Sequence, residues 1–202
     1  MKKRVLSIVL ALCLCMTVIP EVRAEEAVPS PQEVYDILIA FRDRDGYKEG
    51  TVWTNETHPN YKWNGGTAGG IANIGAGCVA FAYQLSDAAF GNLPARMYSS
   101  VKLSEVKPGD ILRVNNDAHT VIVLQVNNAG VVVAEGNVNG KVHWGRGMSA
   151  DEVEAASHYI TRYPEGYVPP DDPSTGEPLG TGTIGGLTWT LAKTGTLTIS
   201  GN

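Results

Sequence analysis

The chain has 202 residues, with 16 Lys and Arg against 21 Asp and Glu and 43% hydrophobic residues. This fits one globular domain with a remainder, and excludes a collagen-like or wholly disordered chain. The start is not part of that domain: Met1, Lys2, Lys3 and Arg4 form a basic opening, residues 5–19 an apolar run, and Pro20 with Val22, Arg23 and Ala24 a small-residue ending. Residues 1–24 therefore read as a secretory signal peptide. The apolar run falls short of the ~20 residues that cross a bilayer, and neither Cys13 nor Cys15 follows the small residue that a lipoprotein signal needs. Removing this segment takes away four basic residues and Glu21, leaving 12 basic against 20 acidic residues and a net charge of −8, which argues against a nucleic-acid partner. It also leaves Cys78 as the only thiol, so no disulfide can form within the mature chain.

Ser30-Pro31-Gln32-Glu33 combines a capping box with proline at the first helical position. Val34, Ile37, Leu38 and Phe41 then recur at helical spacing until Asp45-Gly46. Residues 46–77 are rich in Gly, Asn, Thr and aromatics without a sustained period, and read as a long structured loop. Helical spacing returns from Cys78 to about Phe90, directly after Gly75-Ala76-Gly77. Three β-branched runs over 110–114, 120–126 and 131–135, separated by turn residues, predict an antiparallel meander. Residues 141–144 and 158–163 read as further strands, with a short helix between them opened by a second capping box, Ser149-Ala150-Asp151-Glu152.

Helices followed by strands predict an α+β domain over residues 25–165. Residues 166–183 read as a Pro- and acid-rich linker. Residues 184–202 alternate as a hairpin, with Leu187, Trp189 and Leu191 on one strand, a turn at Lys193-Thr194-Gly195, and Leu197 and Ile199 on the return. An isolated hairpin is marginal in water, so this one is expected to begin a further module.

Cys78 at a helix start would gain from the partial positive charge and free N–H groups there, which favour a thiolate and can hold an oxyanion. Of His58, His119, His143 and His158, only His119 enters a strand from an Asn-Asn-Asp-Ala turn, which suits a general base meeting a helix end. Glu135, with Asn137 two residues on, ends the next strand and can orient the imidazole; alternation puts both on one face and leaves the choice between them open. His143 and Trp144, and the loop aromatics Tyr61 and Trp63, are candidates for lining a substrate groove. No metal or cofactor is expected: Gly75-Ala76-Gly77-Cys78-Val79-Ala80 lacks the strand a dinucleotide fingerprint requires, and one thiol with no paired-histidine motif does not make a zinc site.

This constellation resembles the papain-like amidase superfamily of secreted cysteine hydrolases, including its CHAP and NlpC groups. Tyr61-Lys62-Trp63-Asn64-Gly65-Gly66 resembles the segment ahead of the NlpC nucleophile. Lys107-Pro108-Gly109-Asp110-Ile111 resembles the turn opening the central sheet, residues 117–123 the histidine strand, and Glu135-Gly136-Asn137 the CHAP Glu-x-Asn. The likeness covers roughly residues 50–145. It implies a papain-like α+β fold with N-terminal helices packed on an antiparallel sheet. It further implies Cys78 as nucleophile, His119 as base, Glu135 as orienting acid, Asn137 as an accessory polar group, and Tyr61 as an oxyanion candidate. The chain departs from NlpC members in having Gly77-Cys78-Val79-Ala80 at the nucleophile, a longer spacing from Tyr61 to Cys78 and an acid as third residue, which places it nearer CHAP or in a separate branch.

The resemblance implies an exported bacterial cysteine amidase or peptidase, and the family's usual substrate class suggests cell-wall peptidoglycan peptides. The alternatives are a secreted protease acting on proteins, or a non-catalytic surface adhesin. Residues 185–201 resemble the hairpin that leads into leucine-rich repeat regions of bacterial surface proteins, which implies association with the cell surface. The sequence leaves the oligomeric state open.

Overall fold

A computed structural model describes residues 27–169, 180–191 and 197–201. The segment read as a signal peptide, most of the stretch read as an acidic linker and the turn expected at residues 193–195 lie outside the described residues.

Ser30 caps helix α1 (Pro31–Arg42): its Oγ accepts the Glu33 N–H at 3.2 Å, and the Glu33 carboxylate accepts the Ser30 N–H at 2.7 Å. Val34, Leu38 and Phe41 form its buried stripe. The following stretch contributes two short strands, β1 (Tyr61–Lys62) and β2 (Ile74–Gly75), which pair antiparallel and deliver the chain to helix α2 (Cys78–Phe90). After α2 come β3 (Arg96–Tyr98), β4 (Ile111–Val114), β5 (His119–Asn127), β6 (Gly130–Val138) and β7 (Lys141–Ser149). Helix α3 (Ala150–Glu154), capped by Ser149, leads to β8 (His158–Thr161). These strands form one antiparallel sheet in the order β3-β8-β4-β5-β6-β7.

The sheet is buried on both faces, which explains why its central strands read as nearly unbroken apolar runs. On one face Ile122, Leu124 and Ala134 join Phe81, Leu85 and Phe90 of α2 and Leu38 of α1. On the other, Val121, Val123, Val131 and Val133 pack with Met148 and Val153.

The expectation of a papain-like α+β fold, with a layer of N-terminal helices on a sheet, is corrected here. The described residues are mostly β: three sheets with eleven strands, against only three short helices of 12, 13 and 5 residues. Strand content was underestimated because irregularities extend the strands. Register shifts between Val123 and Gln125, and between Val133 and Ala134, let β5 to β7 run for nine residues each. A run expected to stop at residue 144 continues through Gly145, whose φ of +90° accommodates the irregularity.

The C-terminal segment also holds more strand than a hairpin. β10 (Leu187–Leu191) pairs with β11 (Leu197–Ser200), with Trp189 opposite Ile199, and also with β9 (Gly180–Ile184), which falls partly within the stretch read as linker. The Trp189 indole lies over Gly182, where an added Cβ would come within 2.6 Å of Nε1. Ile184, Leu187, Leu197 and Ile199 are exposed.

Candidate active site

Cys78 is the first residue of α2, and the peptide ahead of it is held from both sides. The Gly77 N–H donates to the His58 carbonyl at 3.0 Å; the Gly77 carbonyl accepts from Trp53 Nε1 at 2.9 Å and from the Phe81 N–H at 3.0 Å. Gly77 has φ 53° and ψ −120°, a region that side chains disfavour. Glycine is required there for a second reason, since an added Cβ would lie 2.0 Å from Asn55 Oδ1. Buried Trp53, stacked on His58 with ring centroids 3.5 Å apart and edge-on to Phe81, anchors the arrangement in the core.

His119 opens β5, and its Nε2 lies 3.0 Å from Glu135 Oε2. That contact occupies Nε2, and Cys78 is near enough to the ring to shift its titration. Glu135 is only 2% exposed, and Arg146 holds it through two contacts, Nε to Oε1 at 2.7 Å and Nη2 to Oε2 at 3.1 Å. The paired fork satisfies a carboxylate that burial alone would protonate.

The charges follow from these contacts. Burial opposes ionisation of Cys78, but hydrogen bonds with the His119 ring and the Thr120 N–H, reinforced by the charges of His119 and Arg113, outweigh it and lower the thiol pKa. The hydrogen bond with Cys78, and then that with Glu135, raises His119 to about 9 against the opposing effect of burial. Burial pushes Glu135 up, but His119 and Arg146 together bring it down to about 2. All three shifts favour a thiolate–imidazolium pair beside an ionised carboxylate.

Backbone strain concentrates around this pair. The non-glycine residues with positive φ among the described ones are Asn115, Asn116 and Asp117, in the turn feeding His119, and Asn137 and Asn139, just past Glu135. Asn and Asp tolerate this conformation best, which accounts for their use in both turns.

The left-handed backbone at Asn137 also separates it from Glu135. Alternation would put both side chains on one face, but Asn137 turns away and donates from Nδ2 to Asn55 Oδ1 at 3.2 Å. Glu135, not Asn137, meets His119.

Two open depressions flank the pair. One, of about 590 Å³, is lined by Cys78 with Asn55, Ala76, Val79, Arg113 and Thr120 among others. The second, of about 550 Å³, is lined by His119, Glu135, Asn137, His143 and Arg146 with neighbouring residues. His143 is thus beside the second depression, where its Nδ1 lies 2.9 Å from Glu49 Oε1.

The other three aromatic candidates have structural contacts and line neither depression. Tyr61 donates its hydroxyl to Asp87 at 2.9 Å, and Asp87 is also bound by buried Arg162 at 2.5 Å. Trp63 is 2% exposed and stacks on Tyr83. Trp144 donates from Nε1 to the Tyr47 carbonyl at 2.7 Å and packs edge-on to Phe81.

Arg146 and Asn55 are the site residues that sequence reasoning missed. A buried Glu135 demands a cation, and a β6–β7 hairpin limits the choice, so Arg146 could have been found had the shift past Gly145 been foreseen. Asn55 carries no sequence signal beyond its place in the loop.

No protein-family model, curated protein or solved structure matches this chain.

Proposed function

We propose that the chain is an exported bacterial cysteine hydrolase that cleaves amide bonds in cell-wall peptidoglycan peptides. The observation that carries the reading is the placement of His119, held at 3.0 Å by the buried carboxylate of Glu135, beside Cys78, where the ring lowers the thiol pKa and the thiol raises that of the ring. Amide cleavage needs a nucleophile stronger than water and a proton donor for the departing amine, and this pair supplies both. The peptidoglycan substrate and the export rest on the motif resemblance and on the reading of residues 1–24.

In the proposed cycle the Cys78 thiolate attacks the carbonyl carbon, the new C–S bond forms, and the π electron pair moves to oxygen. Collapse restores the carbonyl and breaks the C–N bond, with the amine taking the proton from His119. Water then attacks the thioester and passes a proton to His119; the carboxylic acid leaves and Cys78 departs as thiolate. Glu135 keeps the ring oriented and stabilises its charged form in both halves of the cycle.

Purified cell walls incubated with the protein should release fragments bearing new amino and carboxyl ends, identified by mass spectrometry, and Cys78→Ala should release none. Cleavage of denatured proteins without cell-wall fragments would favour the secreted protease. Inactivity on both, with an unreactive thiol, would favour a binding module.

A further inference from the structure

We infer that Asn55 donates a hydrogen bond from its side-chain Nδ2 to the oxygen of the acyl group attacked by Cys78, and that Asn137 is the positioning residue that aims it. The inference rests on the reading of Cys78 as nucleophile.

Asn55 lines the same depression as Cys78. Its loop is tied to the peptide ahead of the thiol at both ends. Trp53, two residues before, donates to the Gly77 carbonyl, and the carbonyl of His58, three residues after, accepts the Gly77 N–H. Between these ties the loop is closed on itself, with the Thr54 N–H on Thr57 Oγ1 at 2.8 Å and the His58 N–H on the Thr54 carbonyl at 2.9 Å. An exposed asparagine is thereby held in register with the nucleophile instead of sampling solvent.

The orientation of the amide is set as well. Asn137 Nδ2 donates to Asn55 Oδ1, so the acceptor end is occupied and the NH₂ end is turned away from Asn137. Among the described residues Asn55 Nδ2 has no acceptor. Two backbone concessions accommodate the pair: φ of +64° at Asn137, and glycine at 77, where a Cβ would lie 2.0 Å from Asn55 Oδ1 and 2.8 Å from Asn137 Nδ2. Strain retained beside a reactive group, in support of an exposed amide, is accounted for by a role in the reaction. Tyr61 is bound to Asp87 instead. A fixed neutral donor aimed at the developing charge is the kind of group whose loss costs roughly 10²–10³ in turnover.

The test compares two reactions of Cys78. N-acetylglycinal adds to the thiol as a hemithioacetal, forming a C–S bond and moving the carbonyl π pair onto an oxygen in the position of the oxyanion. Iodoacetamide alkylates the same sulfur by displacing iodide and creates no such oxygen. In Asn55→Ala the aldehyde's protection of Cys78 should weaken about tenfold or more, with the alkylation rate and its pH midpoint unchanged. Asn137→Gly, which keeps the left-handed backbone but removes the amide, should weaken it by a smaller factor. The double variant should be no worse than Asn55→Ala.

Aldehyde affinity equal to wild type in Asn55→Ala, or an equal loss in both reactions, would overturn the inference; the latter would make Asn55 a loop clamp. An ordinary thiol titration in the wild type would instead defeat the nucleophile reading itself, and the inference with it.

Discussion

Glu135 Oε2 lies 3.0 Å from His119 Nε2, and Arg146 holds both oxygens of the same carboxylate, Nε on Oε1 and Nη2 on Oε2. Glu135 therefore stands between Arg146 and His119 in a charge series that runs on to the thiol of Cys78. A buried carboxylate alone would take up a proton; Arg146 keeps it ionised, and the ionised carboxylate keeps His119 charged.

The first prediction separates the charge of Glu135 from its hydrogen bond. Glu135→Gln retains an acceptor for His119 but removes the charge, so it should keep more activity than Glu135→Ala, which should lose roughly 10²-fold or more. The His119 pKa, followed by NMR of the ring, should fall from about 9 in both variants. An unchanged value would show that Glu135 does not act on the ring.

Arg146→Met should destabilise the fold, because it removes two of the contacts that satisfy buried Glu135 and leaves His119 as its remaining counter-charge. We expect about 1–3 kcal/mol in denaturant unfolding near neutral pH. The loss should shrink as the pH falls and Glu135 protonates. A uniform loss at all pH values would mean that Arg146 acts only by packing.

How much of this was legible in the sequence depends on the range of the interaction that decides each feature. The capping boxes at Ser30 and Ser149 are local and set the starts of α1 and α3, and Gly77 ahead of Cys78 marked the start of α2. His119 and Glu135 were placed by strand ends. The failures arise where register or backbone conformation departs from regularity. The shift past Gly145 brings Arg146 to Glu135, and the left-handed Asn137 leaves the face that alternation assigned to it. The fold class was misjudged for the same reason, since bulged strands and an additional strand β9 make the described chain mostly β. Trp63 and Trp144 looked like groove aromatics because composition does not distinguish an aromatic lining a cleft from one filling a core.

Gly77→Ala should be among the most damaging single substitutions. It adds a Cβ 2.0 Å from Asn55 Oδ1 at a φ that alanine disfavours, costing about 1–3 kcal/mol from the backbone alone. Activity should fall more than stability, because the displaced groups are Asn55 and Cys78. A stable variant with wild-type turnover would contradict the account of the helix start.

Stability should depend on pH in three separable ways. The pKa of His119 is raised to about 9, so its contribution is complete below about 6.5 and is lost as pH rises through about 9. The pKa of Glu135 is lowered to about 2, so its contribution is complete above about 4.5 and is lost as pH falls through about 2. Asp110 acts in the opposite sense: it is wholly buried, and burial raises it to about 7 against the hydrogen bonds from Thr161 and the Lys107 N–H. Its ionisation should reduce stability between about pH 4 and 7, and Asp110→Asn should flatten the curve in that interval. Parallel curves for Asp110→Asn and wild type would exclude this role.

The most direct test of the central claim is the rate of Cys78 alkylation by iodoacetamide as a function of pH, in the wild type and in His119→Ala. The thiolate–imidazolium pair predicts a wild-type midpoint below the ordinary thiol value of 9.0. In His119→Ala the midpoint should rise toward that value or above it, because burial of the sulfur persists without its partner. An ordinary midpoint in the wild type, unmoved by His119→Ala, would contradict the account.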